Sequence, residues 1–245
     1  MKKLVLATVA VILFAFCSQA QDSQIPLIGA TAPSFKAMST QGKITFPDDF
    51  GDHWKILFSH PADFTPVCSS ELLELANKQA EFEKLGVKFA VISTDDVDMH
   101  KLWVQYLEEI DYQGHGKIKI EFPLIADTDV SASKKYGMLH RPTSTNRDIR
   151  GVFIIDGNNK VRSINFYPSE VGRNINEIIR TIEALQTTEE SFVYTPANWE
   201  KGDDVIVPYY PFDKAESEVS PEKLQEYYKV GNRVWFKRAG EEDTK

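Results

Sequence analysis

The spacing of apolar residues changes period several times between residues 55 and 185. Lys55-Ile56-Leu57-Phe58-Ser59 holds a short apolar run of the kind that forms a buried strand. Leu72, Leu75, Ala76 and Phe82 then recur at helical spacing, and Gly86 supplies the stop. Val87 to Ser93 is rich in β-branched residues and reads as a second strand. After it Met99, Leu102, Trp103, Tyr106 and Ile110 return to helical spacing, which makes Trp103 and Tyr106 core positions. A shorter helix is predicted from Asp129 to Tyr136, closed by Gly137. Gly151 to Ile155 and Val161 to Tyr167 flank Asp156-Gly157-Asn158-Asn159, whose Gly and Asn residues suit a hairpin turn. Finally Ile175, Ile178, Ile179, Ile182 and Leu185 form one apolar stripe behind Asn174, a helix cap.

The order strand–helix–strand–helix, then hairpin and closing helix, predicts an α/β sheet layered with helices over residues 25–187. Beyond it the texture breaks at Thr195-Pro196, Pro208, Pro211 and Ser220-Pro221. Val205 to Val207 reads as a strand, and Pro221 to Lys229 as a helix with proline at its first position. Trp199, Tyr209, Tyr210, Tyr227, Tyr228, Trp235 and Phe236 are too much aromatic surface for a free tail. Residues 188–245 are therefore expected to form a small module that packs on the main domain or on a second subunit.

The N-terminus adds a compartment. Met1-Lys2-Lys3 precedes an apolar run from Leu4 to Phe16. That run is shorter than the roughly 20 residues of a spanning helix and fits the core of a secretory signal. Ser18-Gln19-Ala20 places small residues for a cut after Ala20, whereas bulky Phe16 disfavours a lipid anchor at Cys17. Residues 1–20 thus read as a cleaved signal, with export to a periplasm or the exterior and no membrane attachment afterwards. Cys17 leaves with the signal, and Cys68 stays as the one thiol of the mature chain. The 245-residue chain carries 28 Lys+Arg against 36 Asp+Glu, a net charge of −8 with no basic cluster, which argues against nucleic-acid binding. Two cysteines are too few for a disulfide scaffold or a four-thiolate zinc site.

A lone exported thiol is either inert and buried or kept for its reactivity. Cys68 lies in Ser59-His60-Pro61-Ala62-Asp63-Phe64-Thr65-Pro66-Val67-Cys68, where the first strand hands over to the first helix. A cysteine in a first helical turn faces unpaired N–H groups, which favour its thiolate. Pro61 and Pro66 stiffen the loop, and Thr65 can return a hydroxyl toward the sulfur. A thiolate with a nearby hydroxyl and a cation can attack one oxygen of an O–O bond while donors stabilise the departing one.

Pro61-x-x-x-Thr65-x-x-Cys68 resembles the peroxidatic motif of the peroxiredoxins, and the longer string from Phe58 to Cys68 resembles their one-cysteine branch. Gly29-x-x-Ala32-Pro33-x-Phe35 is similar to the family's opening. Tyr167-Pro168 and Gly172-Arg173-Asn174 resemble the closing segment of that branch, and Thr195-Pro196-x-x-Trp199-x-x-Gly202-Asp203 the start of its C-terminal domain. The resemblance implies a thioredoxin-like fold with a small C-terminal peroxiredoxin domain, and a homodimer joined partly through it. It implies no metal and no organic cofactor. Cys68 would be the nucleophile that becomes a sulfenic acid, and Thr65 would hydrogen-bond the sulfur and the peroxide. Arg150, just before the Gly151 strand, would hold the thiolate and the peroxide oxygens. His60 and Pro61 would border the pocket, and Arg173 would support it.

The implied activity is reduction of hydrogen peroxide and organic hydroperoxides. With no second cysteine in the mature chain, an external thiol such as a thioredoxin-like protein or glutathione would regenerate Cys68. Two rivals start from the same residues: a holdase that keeps the fold without turnover, and a sensor that passes its oxidation to a partner. Gly51-Asp52-His53-Trp54-Lys55 lacks the serine of the related Gly-Asp-Ser-Trp-Gly string, so serine-esterase chemistry is rejected there. His100, His115 and His140 lack a ligand set and read as surface residues.

Overall fold

The computed structural model describes residues 25–240, residue 214 excepted. The expected signal segment, residues 1–20, lies outside the described residues. Among those described, no helix is long and apolar enough to cross a membrane. The chain divides into two compact units, the first ending at Arg173 and the second beginning at Asn174.

In the first unit, β1 (Phe35–Ser39) and β2 (Gly42–Phe46) make an antiparallel hairpin. β3 (Trp54–Ser59), α1 (Pro66–Lys84), β4 (Val87–Ser93), α2 (Val97–Leu107) and β5 (Leu124–Ala126) follow as a parallel crossover series. After the short α3 (Ser131–Lys135), β6 (Arg150–Ile155) and β7 (Val161–Tyr167) return as the expected hairpin. These strands form one mixed seven-stranded sheet in the order β2-β1-β5-β4-β3-β6-β7. Central β3 runs parallel to β4 and antiparallel to β6, and its Lys55 to Ser59 are all buried, as the continuous apolar run requires. Phe35, Tyr136 and Phe153 meet edge to face at 5.0–5.9 Å and fill one layer between sheet and helices. The α/β expectation holds, and the β1–β2 hairpin is an addition to it.

α2 departs from its predicted face. Trp103 is buried as expected, but Tyr106, Met99 and Leu102 are exposed, and Ile110 lies beyond the helix end. His100, Trp103 and Leu107 make the buried stripe instead. The helix is rotated by about one residue because a histidine takes a core position, where both of its ring nitrogens find acceptors. His100 is therefore not a surface residue. His140 is also partly buried, with its ring 5.0 Å from Phe166.

The second unit starts with α4 (Ile175–Ser191), whose buried Ile175, Ile178, Ile179 and Ile182 match the predicted stripe. Asn174 caps it by accepting from the Glu177 amide. A three-stranded antiparallel sheet follows, β8 (Val205–Val207), β10 (Val234–Lys237) and β9 (Tyr227–Val230) in spatial order. Val207, Phe212, Val219 and Trp235 form its small core. The helix expected through Lys229 stops at Gln225 (α5, Pro221–Gln225), because Tyr227 to Val230 pair with β10. The alternating aromatic residues there serve a strand better than a helix turn.

Candidate active site

The site begins where β3 ends. Ser59, its last residue, accepts from the Gly151 amide at 2.8 Å and donates to the Ile149 carbonyl at 2.6 Å. This hydroxyl therefore pins the start of β6, and with it Arg150, beside the loop that leaves β3. A Cβ at Gly151 would come within 2.8 Å of Ser59 Oγ, so only glycine allows the approach. The loop then turns at Phe64, a bulky residue at φ 55, which costs about 1 kcal/mol and sets Thr65 as the cap residue of α1. Pro66 follows at the first helical position, where its missing N–H costs nothing. Cys68 thereby falls in the first turn of α1 and is fully buried.

Arg150 reaches Cys68 from β6, with Nη1 donating to Sγ at 3.2 Å. The same nitrogen donates to Glu71 Oε2 at 2.7 Å, while Nε and Nη2 hold the Ser169 carbonyl at 3.1 and 2.7 Å. Arg173 grips Glu71 from the other side. Its Nε and main-chain N donate to Oε1 at 2.9 and 2.7 Å, and Nη2 donates to Oε2 at 2.8 Å. Its Nη1 donates to the carbonyls of Ser59 and Gly151 at 2.9 and 2.8 Å. All three charged side chains are no more than 2% exposed. Burial alone pushes the Glu71 carboxyl up, but the Arg173 and Arg150 guanidinium groups outweigh it and hold Glu71 below the usual carboxylate range. The fork geometry of the Arg173 guanidinium suits its bidentate grip, which a lysine could not reproduce, while Arg150 reaches Glu71 through Nη1 alone.

The structure thus brings Cys68, Arg150 and Arg173 together, joined by Glu71, which sequence reasoning missed. Glu71 lies three residues after Cys68, one turn along the same helix face, and that spacing was the available signal. Thr65 stands at the helix start, but its hydroxyl donates to the Ala62 carbonyl at 3.0 Å rather than to the sulfur, and its oxygen keeps acceptor capacity. Pro61 offers its carbonyl to Arg147 Nη1 at 3.5 Å. His60 is buried and turns Nε2 to Asp63 Oδ1 at 2.9 Å.

His60, Asp63 and Asp95 place one possible metal-ligating atom each within 4.8 Å of one another. His60 Nε2 and both oxygens of each carboxylate already have hydrogen-bond partners. Asp63 serves two histidines, while Asp95 accepts from the Asp63 amide at 2.8 Å and pairs with Arg147 at 2.5 Å. The cluster works as a hydrogen-bonded clamp on the loop that carries Pro61 to Thr65. Chemically, the site presents a shielded sulfur to a fixed cation at hydrogen-bond distance, which suits a thiolate nucleophile and an oxyanion leaving group.

Residues 28–164 match the model of the AhpC/TSA family, and residues 184–219 match the C-terminal domain of 1-Cys peroxiredoxin. A peroxiredoxin of Methanosarcina mazei is 48% identical over 185 residues, 75% of this chain and 84% of that protein. The mitochondrial peroxiredoxin PRX1 of Saccharomyces cerevisiae is 43% identical over 201 residues, 78% of this chain and 75% of that protein. A structure of a yeast mitochondrial 1-Cys peroxiredoxin, described with its thiol resolution by the glutathione/thioredoxin systems, superposes with a TM-score of 0.72 at 38% identity. It covers 87% of this chain and 99% of that one. A cysteine-to-serine mutant of peroxiredoxin 6 from Arenicola marina gives 0.73 at 33% identity, over 88% and 99% of the two chains.

Proposed function

The chain belongs to the AhpC/TSA family of peroxiredoxins and is a thiol-dependent peroxidase with a thioredoxin-like fold, and from that premise we propose how its own residues run the reaction. The Arg150 Nη1 contact with Cys68 Sγ carries the reading. The Cys68 thiolate attacks one peroxide oxygen; the S–O bond forms as the O–O bond breaks. Sulfur is oxidised to the sulfenic acid, and the departing oxygen leaves as water or alcohol after taking a proton. Arg150 holds the thiolate before attack and the developing oxyanion during it, and Arg173 holds Arg150 in place through Glu71. Thr65 turns its free acceptor lone pairs to the incoming O–H group. His60 and Pro61 border the pocket.

Cys68 is the one free cysteine among the described residues. An external thiol therefore completes the cycle, a thioredoxin-like protein or glutathione, in keeping with the yeast relative described with those systems. The cationic start and short apolar run of residues 1–16 support cleavage after Ala20 and export to a periplasm or the exterior. Residues 25–187 supply the peroxidase domain, and 188–245 a module for homodimer formation, a reading supported by the C-terminal family match and the module's exposed Tyr194, Tyr209 and Tyr210.

Rapid-mixing tryptophan fluorescence with stoichiometric hydrogen peroxide tests the chemistry, with Cys68→Ser alongside. A fast transient that vanishes in Cys68→Ser is expected. A rate no faster than that of a free thiol would overturn the assignment of Arg150 and Cys68.

A further inference from the structure

Asp148 is a buried carboxyl that the chemistry of the Cys68 site leaves unused. It stands where the mostly exposed loop of residues 141–147 re-enters the core just ahead of β6. Only 1% of it is exposed, and neither of its oxygens has a hydrogen-bond partner. The donors around it go elsewhere. At the start of α3 the amides of Ala132 and Ser133 and the Ser133 hydroxyl all serve Asp127, at 3.0, 2.7 and 2.6 Å. From the preceding residue, Arg147 Nη1 donates to Asp95 Oδ1 at 2.5 Å.

The groups that face Asp148 are Ser133 on α3, Asp127 on the turn after β5 and Asp95 on the loop after β4. Arg150, on its own segment, turns its guanidinium to Cys68, Glu71 and the Ser169 carbonyl. A carboxylate at this place would meet two like charges and no donor, and such a group keeps its proton instead. Burial raises the Asp148 ionisation to about 7, against a pull from Ser133 and with help from the charges of Asp127 and Asp95.

The chain then runs directly into the cation of the site. Ile149 is tied at both ends: its amide donates to the Met138 carbonyl at 3.0 Å, and its carbonyl accepts from Ser59 Oγ at 2.6 Å. Gly151 donates to the same serine oxygen at 2.8 Å. Arg150 thus sits between two residues that Ser59 holds, and from there its Nη1 reaches Cys68 Sγ at 3.2 Å.

We infer that Asp148 is a positioning residue of the peroxidase reaction: as a neutral acid it lets Ile149 and Gly151 lie on Ser59 with Arg150 on Cys68, and on releasing its proton to water it draws that segment toward the exposed loop and takes Arg150 off the sulfur. The inference rests on the peroxidase reading of the Cys68 site. The bond nearest to the new charge is the one from Ser59 to the Ile149 carbonyl, one residue away. Peroxide reduction is therefore fastest on the acid side of the Asp148 ionisation. Thiolate formation at Cys68 alone would give the opposite slope, since a thiolate is favoured as pH rises.

The test is the second-order rate of Cys68 oxidation by hydrogen peroxide in the full chain, followed by stopped-flow from pH 5.5 to 8.5 in wild type and Asp148→Asn. Titration of Cys68 is common to both proteins and cancels in the ratio of their rates. The two should agree within about twofold at pH 6, and wild type should be about tenfold slower than the variant at pH 8, one unit above the ionisation. A ratio that stays constant with pH would overturn the inference, because Asp148 would then act through the fold alone. Asp148→Val, which carries neither charge nor hydrogen-bonding groups, makes the same comparison if the Asn amide prevents folding. Near-ultraviolet circular dichroism of wild type should stay native at pH 8; a slow rate with a lost native spectrum would be unfolding and would count against a positioning role. Infrared spectra supply a readout independent of peroxide. Wild type at pH 6 should show the carbonyl stretch of a neutral carboxyl that Asp148→Val lacks, and identical spectra would sink the proposal. No fast Cys68-dependent phase even at pH 6 would remove the peroxidase reading and the inference with it, whereas a fast phase with parallel pH profiles removes the inference alone.

Discussion

Replacing Asp148 by Asn should stabilise the protein more and more as pH rises. Asp148 lies two residues before Arg150, is 1% exposed, and neither of its carboxyl oxygens has a hydrogen-bond partner. Burial pushes it up to about 7; the Ser133 hydroxyl works against this, and the charges of Asp127 and Asp95 add to it. The Ser133 proton is in any case given to Asp127 Oδ2, at 2.6 Å. In the unfolded chain Asp148 ionises near the ordinary 3.8. Between 3.8 and about 7, the folded protein therefore keeps a proton that the unfolded chain has released. Stability falls with rising pH across that window and levels off above it, for a total of up to about 4 kcal/mol. Asp148→Asn keeps the shape and removes the titration, and the unmet needs of its amide are independent of pH. Urea unfolding of both proteins at pH 5, 6, 7 and 8 isolates the effect. The stability difference should move by roughly 3 kcal/mol in favour of the variant from pH 5 to pH 8. Parallel curves would refute the reasoning, since they would mean Asp148 is solvated or paired in the folded state.

Glu71→Gln removes the single negative charge between two buried guanidinium groups. It should cost about 3–5 kcal/mol of stability and slow Cys68 oxidation at least tenfold in stopped-flow; a folded variant with an unchanged rate would remove Glu71 from the site's support. Gly151→Ala forces a methyl group to within 2.8 Å of Ser59 Oγ and 3.0 Å of Phe153. The expected loss is about 1–3 kcal/mol with a slower Cys68 reaction, and wild-type values for both would show that the β3–β6 junction yields freely. Glu71 and Asp63 are held below their ordinary values of 4.5 and 3.8. Their contribution to stability is full above those values and lost as pH falls through the lower folded ones, so wild type should lose more stability on acidification than a variant without that titration. Urea unfolding of wild type and Glu71→Gln at pH 7 and at descending acid pH checks the sign: the gap between them should narrow as pH falls.

The pattern along the chain revealed the elements that obey a single period. The buried run of β3, the β6–β7 hairpin and the isoleucine stripe of α4 are each decided by local spacing and burial. The β1–β2 hairpin was not legible, because Phe35 to Phe46 alternate weakly and gain their place from pairing with β5, a contact distant in sequence. α2 misled for the opposite reason. Its Met99, Leu102 and Tyr106 make a convincing apolar stripe, yet His100 takes the core position because Asp63 and the Ile125 carbonyl satisfy it. Periodicity scores a histidine as polar and cannot know that its partners wait 25 and 37 residues away. Cys68, Thr65 and Arg150 were legible through motif and resemblance, while Glu71, Asp63 and Ser59 act as connectors and carry no motif of their own.

Those connectors divide the buried charge in two different ways. Around Asp63 two histidine rings hydrogen-bond one buried carboxylate. Around Glu71 the positive charges outnumber the carboxylate. Arg150 and Arg173 bring two positive charges to one carboxylate, and all three are removed from water. The surplus of one positive charge has one unfilled neighbour, the Cys68 sulfur at 3.2 Å from Arg150. A neutral thiol leaves the buried cluster cationic, whereas a thiolate neutralises it. Attack on peroxide consumes that anion, so the cluster becomes cationic again when the sulfenic acid forms, and the departing oxygen is the anion that inherits the Arg150 hydrogen bond. The same imbalance that holds the nucleophile ready therefore stabilises its leaving group, and return of an electron pair from an external thiol restores neutrality.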